Sequence, residues 1–237
     1  MAIGNVTPDS FYAGSRLRNE EEIVSWAKDA LSDGADILDI GGCSTRPGSV
    51  PVDEAEEWKR VESALRALKR ALPDARLSLD TFRVEIARRA LDQFGAMIIN
   101  DISGGNEAMY ALIRRYHIPY IWTLRGNLEL PAEHSEMMDM DLILDPGFGF
   151  IGSTEKDFEC MRNLDRLSTY QLPVLVGVSR KSMVYKPLGL TPETCLAATQ
   201  AMQLYALEHG ATILRTHDVK ETRQTMELFE MVRSGLK

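Results

Sequence analysis

The chain has 237 residues, enough to bury one sizeable core, and its 44% hydrophobic and 26% charged residues are ordinary for a soluble globular protein. No apolar run approaches the ~20 residues needed to cross a bilayer and no signal-peptide pattern is expected, so neither a membrane partner nor a secreted protein is predicted. The net charge of -8 and pI near 5.1 count against nucleic acid, while a few clustered cations could still hold an anionic small molecule.

In chain order, short apolar runs alternate with longer amphipathic stretches. Strands are predicted at Met1–Asn5, Ala35–Ile40, Arg76–Asp80, Met97–Asn100, Pro119–Thr123, Asp141–Asp145, Pro173–Val178 and Thr212–Arg215. Helices are predicted at Glu20–Ser32, Asp53–Ala71, Val84–Phe94, Glu107–Tyr116, Glu155–Leu167, Pro192–Glu208 and Val219–Val232. Continuous apolar strands separated by helices indicate a parallel sheet covered on its outer face. Eight such units, with no Pro/Gly/Ser linker between them, fit one domain built as a closed (β/α)8 barrel, an α/β fold, better than an open sheet. The path Leu124–Met140, which contains Pro131, has room for only a turn or two of helix, so the fifth βα unit is expected to be shortened.

Three cysteines, Cys43, Cys160 and Cys195, form no CxxC pair, and the four histidines have no zinc spacing. Reduced thiols in a cytoplasmic protein are the expectation. Cys43 follows a strand, but nothing beside it suggests a base.

A barrel builds its active site at the carboxyl ends of its strands. Polar residues fall there with regularity: Asn5, then Asp39 with Gly41 and Gly42, Asp80, Asn100 with Asp101, Asp145, Ser179–Lys181, and Arg215 with His217. Each alone reads equally as a turn or helix cap. Asp80, Asn100 and Asp145 together, each after an apolar strand, suit a flat heterocycle with several donors and acceptors, since unpaired polar groups in such a mouth cost ~1–3 kcal/mol each. Lys181, Arg215 and His217 cluster at the last two strands, where barrel enzymes commonly hold phosphate. Arg180 would point away from Lys181 if the backbone stays extended, and Ser182 is placed to cap the next helix. Gly147, Gly149 and Gly152 spell a formal G-x-G-x-x-G with Asp165 farther on, but Asp145-Pro146 intervenes between strand and glycines, and tight βα turns need glycine anyway.

Seven motifs follow in order: Asn5-Val-Thr-Pro-Asp-Ser-Phe11, Asp39-Ile-Gly-Gly-Cys-Ser-Thr-Arg-Pro-Gly48, Leu79-Asp-Thr-Phe82, Ile99-Asn-Asp-Ile-Ser-Gly-Gly105, Asp145-Pro-Gly-Phe-Gly-Phe150, Gly177-Val-Ser-Arg-Lys-Ser182 and Leu214-Arg-Thr-His-Asp-Val219. Together they resemble the signatures of the dihydropteroate synthase family. The resemblance implies a transferase of folate biosynthesis, joining 4-aminobenzoate to (7,8-dihydropterin-6-yl)methyl diphosphate with release of diphosphate. Carried over, it implies that Asp80, Asn100, Asp145 and Lys181 hold the pterin ring, with Asp80, Lys181, Arg215 and Asp145 carrying the catalysis. Arg215 and His217 would grip the diphosphate, with Thr45 and Arg46 closing over it. Asn5 would ligate Mg²⁺, and Phe11, Pro47 and Ser182 would shape the aminobenzoate pocket. It also implies a cytoplasmic homodimer and a sulfonamide target. A pterin-binding barrel without condensation activity and a methyltetrahydrofolate-type methyltransferase module are the alternative readings. Three places depart from the family pattern: Tyr12-Ala13-Gly14-Ser15 in the first loop, Trp122-Thr123-Leu124 at the fifth strand, and Ile151-Gly152-Ser153 after the sixth. Met202, Leu204, Leu207, Met226 and Phe229 could serve either the barrel or a dimer face, and helical spacing favours the core.

Overall fold

The computed structural model describes residues 1–6, 19–43, 52–130, 137 and 139–235. Eight parallel strands form the centre: β1 (Ala2–Asn5), β2 (Leu38–Gly41), β3 (Leu77–Asp80), β4 (Ile98–Asp101), β5 (Tyr120–Thr123), β6 (Leu142–Asp145), β7 (Leu175–Val176) and β8 (Ile213–Leu214). Strands β1 to β6 pair in sequential order and β7 pairs with β8. Single bridges Leu144–Val174 and Ala2–Thr216 join the two groups, so the ring closes on itself. That closure separates the fold from an open dinucleotide-binding sheet.

Around the ring lie α1 (Glu20–Ser32), α2 (Glu54–Ala71), α3 (Val84–Phe94), α4 (Glu107–Tyr116), α5 (Thr154–Arg162), α6 (Ser182–Tyr185), α7 (Leu196–Glu208) and α8 (Val219–Ser234). Local chemistry sets several starts. Asn19, Asp53, Asn106 and Ser153 each accept a hydrogen bond from the backbone N–H three residues on, satisfying a donor that the first helical turn leaves open. Outward-facing strand residues such as Leu38, Leu79, Ile99, Tyr120 and Leu144 join helix residues such as Leu65, Ile86 and Met109 in one buried cluster. No helix of the described structure is long and apolar enough to cross a membrane.

The expected elements are present, with corrections at their edges. The Glu155–Leu167 stretch divides into α5 and a 3-10 segment at Leu164–Tyr170, because Asn163 leaves helical geometry between them. The Pro192–Glu208 helix starts only at Leu196, since Thr191 and Thr194 close a turn on each other. Among the described residues between β5 and β6 there is no α-helix, and residues 131–136 and 138, where the expected shortened helix would fall, lie outside the described residues. On the last helices Leu207 is buried, and Met202, Met226 and Phe229 pack partly against the core.

Candidate active site

Strand side chains alternate between the two faces of a sheet, so residues two apart point the same way. Ile121, Ile143 and Leu175 pack with Met1, Ile98 and Ile213 in a small apolar cluster separate from the outer core. These are the inward residues at one level of the barrel. Two residues farther along, Asn100, Thr123, Asp145 and Arg215 follow four of these six, Gly177 follows Leu175, and on β1 the change comes one step later, at Asn5 after Ile3. The inward positions therefore change from apolar to polar on approaching the carboxyl-end mouth. Register sets Asn5, Gly41, Asp80 and Asn100 side by side across β1 to β4.

Arg215 is the centre of this layer. Its Nε donates to Asp39 Oδ2 at 2.6 Å and its Nη2 to Asp80 Oδ2 at 2.7 Å. Asn100 Nδ2 donates to the same Asp39 oxygen at 3.1 Å. Asp39 is fully buried, and its Oδ1 has no hydrogen-bond partner among the described residues. Arg215 Nη1 likewise has none among the described residues, which leaves its two N–H groups for an incoming anion. Burial pushes the Asp80 carboxyl up to about 7 against the opposing pull of Arg215, and the neighbouring Asp39 charge adds to the rise. For Arg215, burial works against the charge but Asp39 and Asp80 outweigh it, so the cation is held more firmly than usual.

Across the mouth, Lys181 donates to the Phe148 carbonyl at 2.5 Å, with its Nζ 4.9 Å from the centre of the Phe150 ring. Burial lowers Lys181 to about 8, with Asp145 pulling the other way. Asp145 is raised chiefly by burial, and one of its oxygens accepts the Gly147 N–H at 2.8 Å. The Gly147–Gly152 turn exists to bring these groups close. Gly149 lies at φ +82°, and a Cβ there would sit 3.1 Å from Lys181 Cδ. From α5, Asp157 accepts the Gly149 N–H at 2.8 Å and fixes the turn. Phe82, Ile102, Ser103, Arg125 and Phe150, from four successive strand ends, line a cleft of about 360 Å³ at the same rim.

Thus Asp80, Asn100, Asp145, Lys181 and Arg215 share one mouth. His217 lies on the same rim, where its backbone N–H donates to Ser179 Oγ at 3.2 Å. Ser182 starts α6 but does not cap it: the capping position falls to Lys181, with no side-chain bond. Arg180 does point away from Lys181, but through a left-handed backbone at φ +53° and not an extended one. Phe11, Thr45, Arg46 and Pro47 lie outside the described residues. Sequence position alone puts Asp39 at a strand end without a role; the signal for one is a charge inside the apolar run Ile37-Leu38-Asp39-Ile40. The Phe148 carbonyl carries no sequence signal at all. Burial, followed by Glu57, raises the Cys43 thiol and outweighs the opposing charge of Arg83, so it is not an activated nucleophile.

The Asn5 amide ends β1 and has no side-chain hydrogen bond to the described residues, which leaves its hard oxygen available to a cation. Among the described residues no three His, Cys, Asp or Glu side chains gather into a metal site. A lone amide oxygen would hold Mg²⁺ only together with substrate phosphates and water, since that ion usually takes one or two carboxylates besides them.

Fold and site define a (β/α)8-barrel protein whose mouth pairs buried and half-buried carboxylates and an amide with two cations, a setting for a polar heterocycle bearing an anionic tail. The family model described as "Pterin binding enzyme" matches residues 1–130 and 127–217, and the chain belongs to that family. A dihydropteroate synthase of Clostridium beijerinckii is 33% identical over 252 residues, covering 98% of this chain and 93% of the relative. The crystal structure of the Clostridium difficile dihydropteroate synthase in the presence of pteroic acid superposes with a TM-score of 0.84 at 33% identity, covering 98% of this chain and 95% of that one. The Xanthomonas albilineans dihydropteroate synthase with 4-aminobenzoic acid gives a TM-score of 0.84 at 32% identity, covering 98% of this chain and 92% of that one.

Proposed function

We propose that the chain condenses 4-aminobenzoate with (7,8-dihydropterin-6-yl)methyl diphosphate, giving 7,8-dihydropteroate and diphosphate in folate biosynthesis. The observation that carries this reading is the Asp39–Arg215–Asp80 bridge, anchored on the buried Asp39 with Asn100 at its side, facing Asp145 and Lys181 across one mouth. A pterin edge presents adjacent N–H donors and a carbonyl, and this set offers carboxylates, an amide and an ammonium to meet them.

In the reaction the amine nitrogen bonds to the methylene carbon as the carbon–oxygen bond to diphosphate breaks. The bond pair leaves with diphosphate, and the nitrogen then loses a proton. No protein nucleophile is required. Arg215 and His217 bind the leaving anion, and Asp80 and Asp145 balance positive charge developing on the ring. Lys181 donates to the ring's acceptors, while Thr45 and Arg46 meet the diphosphate. Phe11, Pro47 and Ser182 form the aminobenzoate pocket, where a sulfonamide, resembling the arylamine, is expected to compete. Holding the amine against the methylene carbon supplies the remaining rate. Asn5 would hold Mg²⁺, which when bound neutralises charge on the diphosphate. The three free thiols support a cytoplasmic setting. Exposed Leu228, Met231 and Val232 on α8 support a homodimer.

Diphosphate release, measured with both substrates and Mg²⁺, tests the reading. Release that requires 4-aminobenzoate is expected. Tight binding of the pterin diphosphate without amine-dependent release would reduce the protein to a binder, and no binding would remove the pterin reading altogether.

A further inference from the structure

The turn after β7 contains a residue that the reaction above leaves idle. Arg180 lies between Ser179 and Lys181 at φ +53°, a region side-chain-bearing residues rarely enter unless their surroundings hold them there. Its guanidinium grips Asp218 with two nitrogens, Nε to Oδ2 at 3.0 Å and Nη2 to Oδ1 at 2.7 Å. Nη1 donates to the carbonyls of Pro192 and Glu193, and the Arg180 backbone N–H reaches Thr199 Oγ1 at 3.3 Å. Both side chains of the pair are nearly buried, at 7% and 10% exposure.

The flanking residues use the twist. Ser179 Oγ accepts the His217 N–H at 3.2 Å and lies 3.5 Å from Asp218 Oδ2. Lys181 turns back into the mouth towards Phe148. One buried ion pair therefore joins the turn carrying Lys181 to the segment carrying Arg215 and His217. Apolar residues of similar volume would often stabilise a fold as well as a buried ion pair does. What a bidentate fork adds is a fixed distance and angle between the two chain segments.

We propose that Arg180 and Asp218 are positioning residues for the reaction, setting the separation between the group that meets the pterin ring and the groups that meet its diphosphate. The proposal rests on the functional reading above. It implies that the pair governs how well ring and tail are recognised together.

The test is calorimetry with 6-hydroxymethyl-7,8-dihydropterin and with its diphosphate, on the wild-type chain and on Arg180→Lys and Asp218→Asn. Wild type should prefer the diphosphate, and in each variant that preference should shrink by about fivefold or more, because lysine cannot reproduce the fork and asparagine removes its charge. His217→Ala should cost less diphosphate affinity in the Arg180→Lys background than in wild type, since the two act through one arrangement. A merely structural role would lower the melting temperature and leave both the preference and the His217 effect unchanged; that result overturns the proposal. Should Asp218→Asn fail to fold, Arg180→Lys carries the same readout. Failure of wild type to bind either pterin would instead overturn the underlying functional reading.

Discussion

Replacing Asp80 with asparagine keeps shape and removes charge, so it isolates the electrostatics of the mouth. The folded-state carboxyl lies at about 7 against an ordinary 3.8, because burial and Asp39 together outweigh the help of Arg215. A carboxyl raised on folding binds more protons folded than unfolded. Its stabilising effect is therefore complete below about pH 4 and is lost as pH climbs to 7, after which the penalty is constant. The gap corresponds to roughly 4 kcal/mol at most. The side chain retains 21% exposure, so we halve this to about 2 kcal/mol, or roughly 4–8 °C for a chain of this size. Circular-dichroism melts between pH 5 and 9 should show Asp80→Asn gaining on wild type up to about pH 7 and holding that lead above it. Turnover should meanwhile fall at least about tenfold, the value of one charge-assisted hydrogen bond to the ring. A stability difference independent of pH, or one that favours wild type increasingly as pH rises, would refute the reasoning.

Lys181, lowered to about 8 by burial, should lose its charge near the alkaline edge of the assay range, so affinity for the pterin diphosphate should fall as pH rises past 8. Lys181→Met should remove that step, and a flat wild-type profile to pH 9.5 would contradict it. Gly149→Ala places a Cβ 3.1 Å from Lys181 Cδ at φ +82°, so a loss of roughly 1–2 kcal/mol in urea unfolding and weaker pterin binding are expected. Calorimetry unchanged from wild type would show that the turn does not position the lysine. Glu57 is fully buried on α2, accepts Thr81 Oγ1 at 2.7 Å and pairs with Arg83, which also donates to the Val52 carbonyl at 2.6 Å. Glu57→Ala should cost about 2–3 kcal/mol in urea unfolding by leaving that guanidinium uncompensated, and a cost under about 1 kcal/mol would count against it.

Helices α1, α3 and α4 were legible to the residue at both ends. Asn19 and Asn106 announce two of those starts, and Gly95 marks the end of α3. Strands β7 and β8 came out shorter than their apolar runs suggested, since apolar character continues past the point where pairing stops. The inward placement of Asp80, Asn100 and Asp145 follows from position at a strand end and could be read locally. The Asp39–Arg215 bridge could not, because its partners are 176 residues apart and meet only when the ring closes. Arg180 illustrates a different limit: its direction was anticipated from an extended backbone, whereas a left-handed twist produced it.

The ring is not equally stitched throughout. Two of its eight junctions, β6 to β7 and β8 to β1, pair over fewer residues than the junctions among β1 to β6, and they bound a panel made of β7 and β8. Lys181 and Arg215 belong to that panel, whereas Asp39, Asp80, Asn100 and Asp145 stand on the other six strands. A molecule gripped from both sides would act as a rivet through the circle, so occupancy should tighten the cylinder itself as well as fill its mouth.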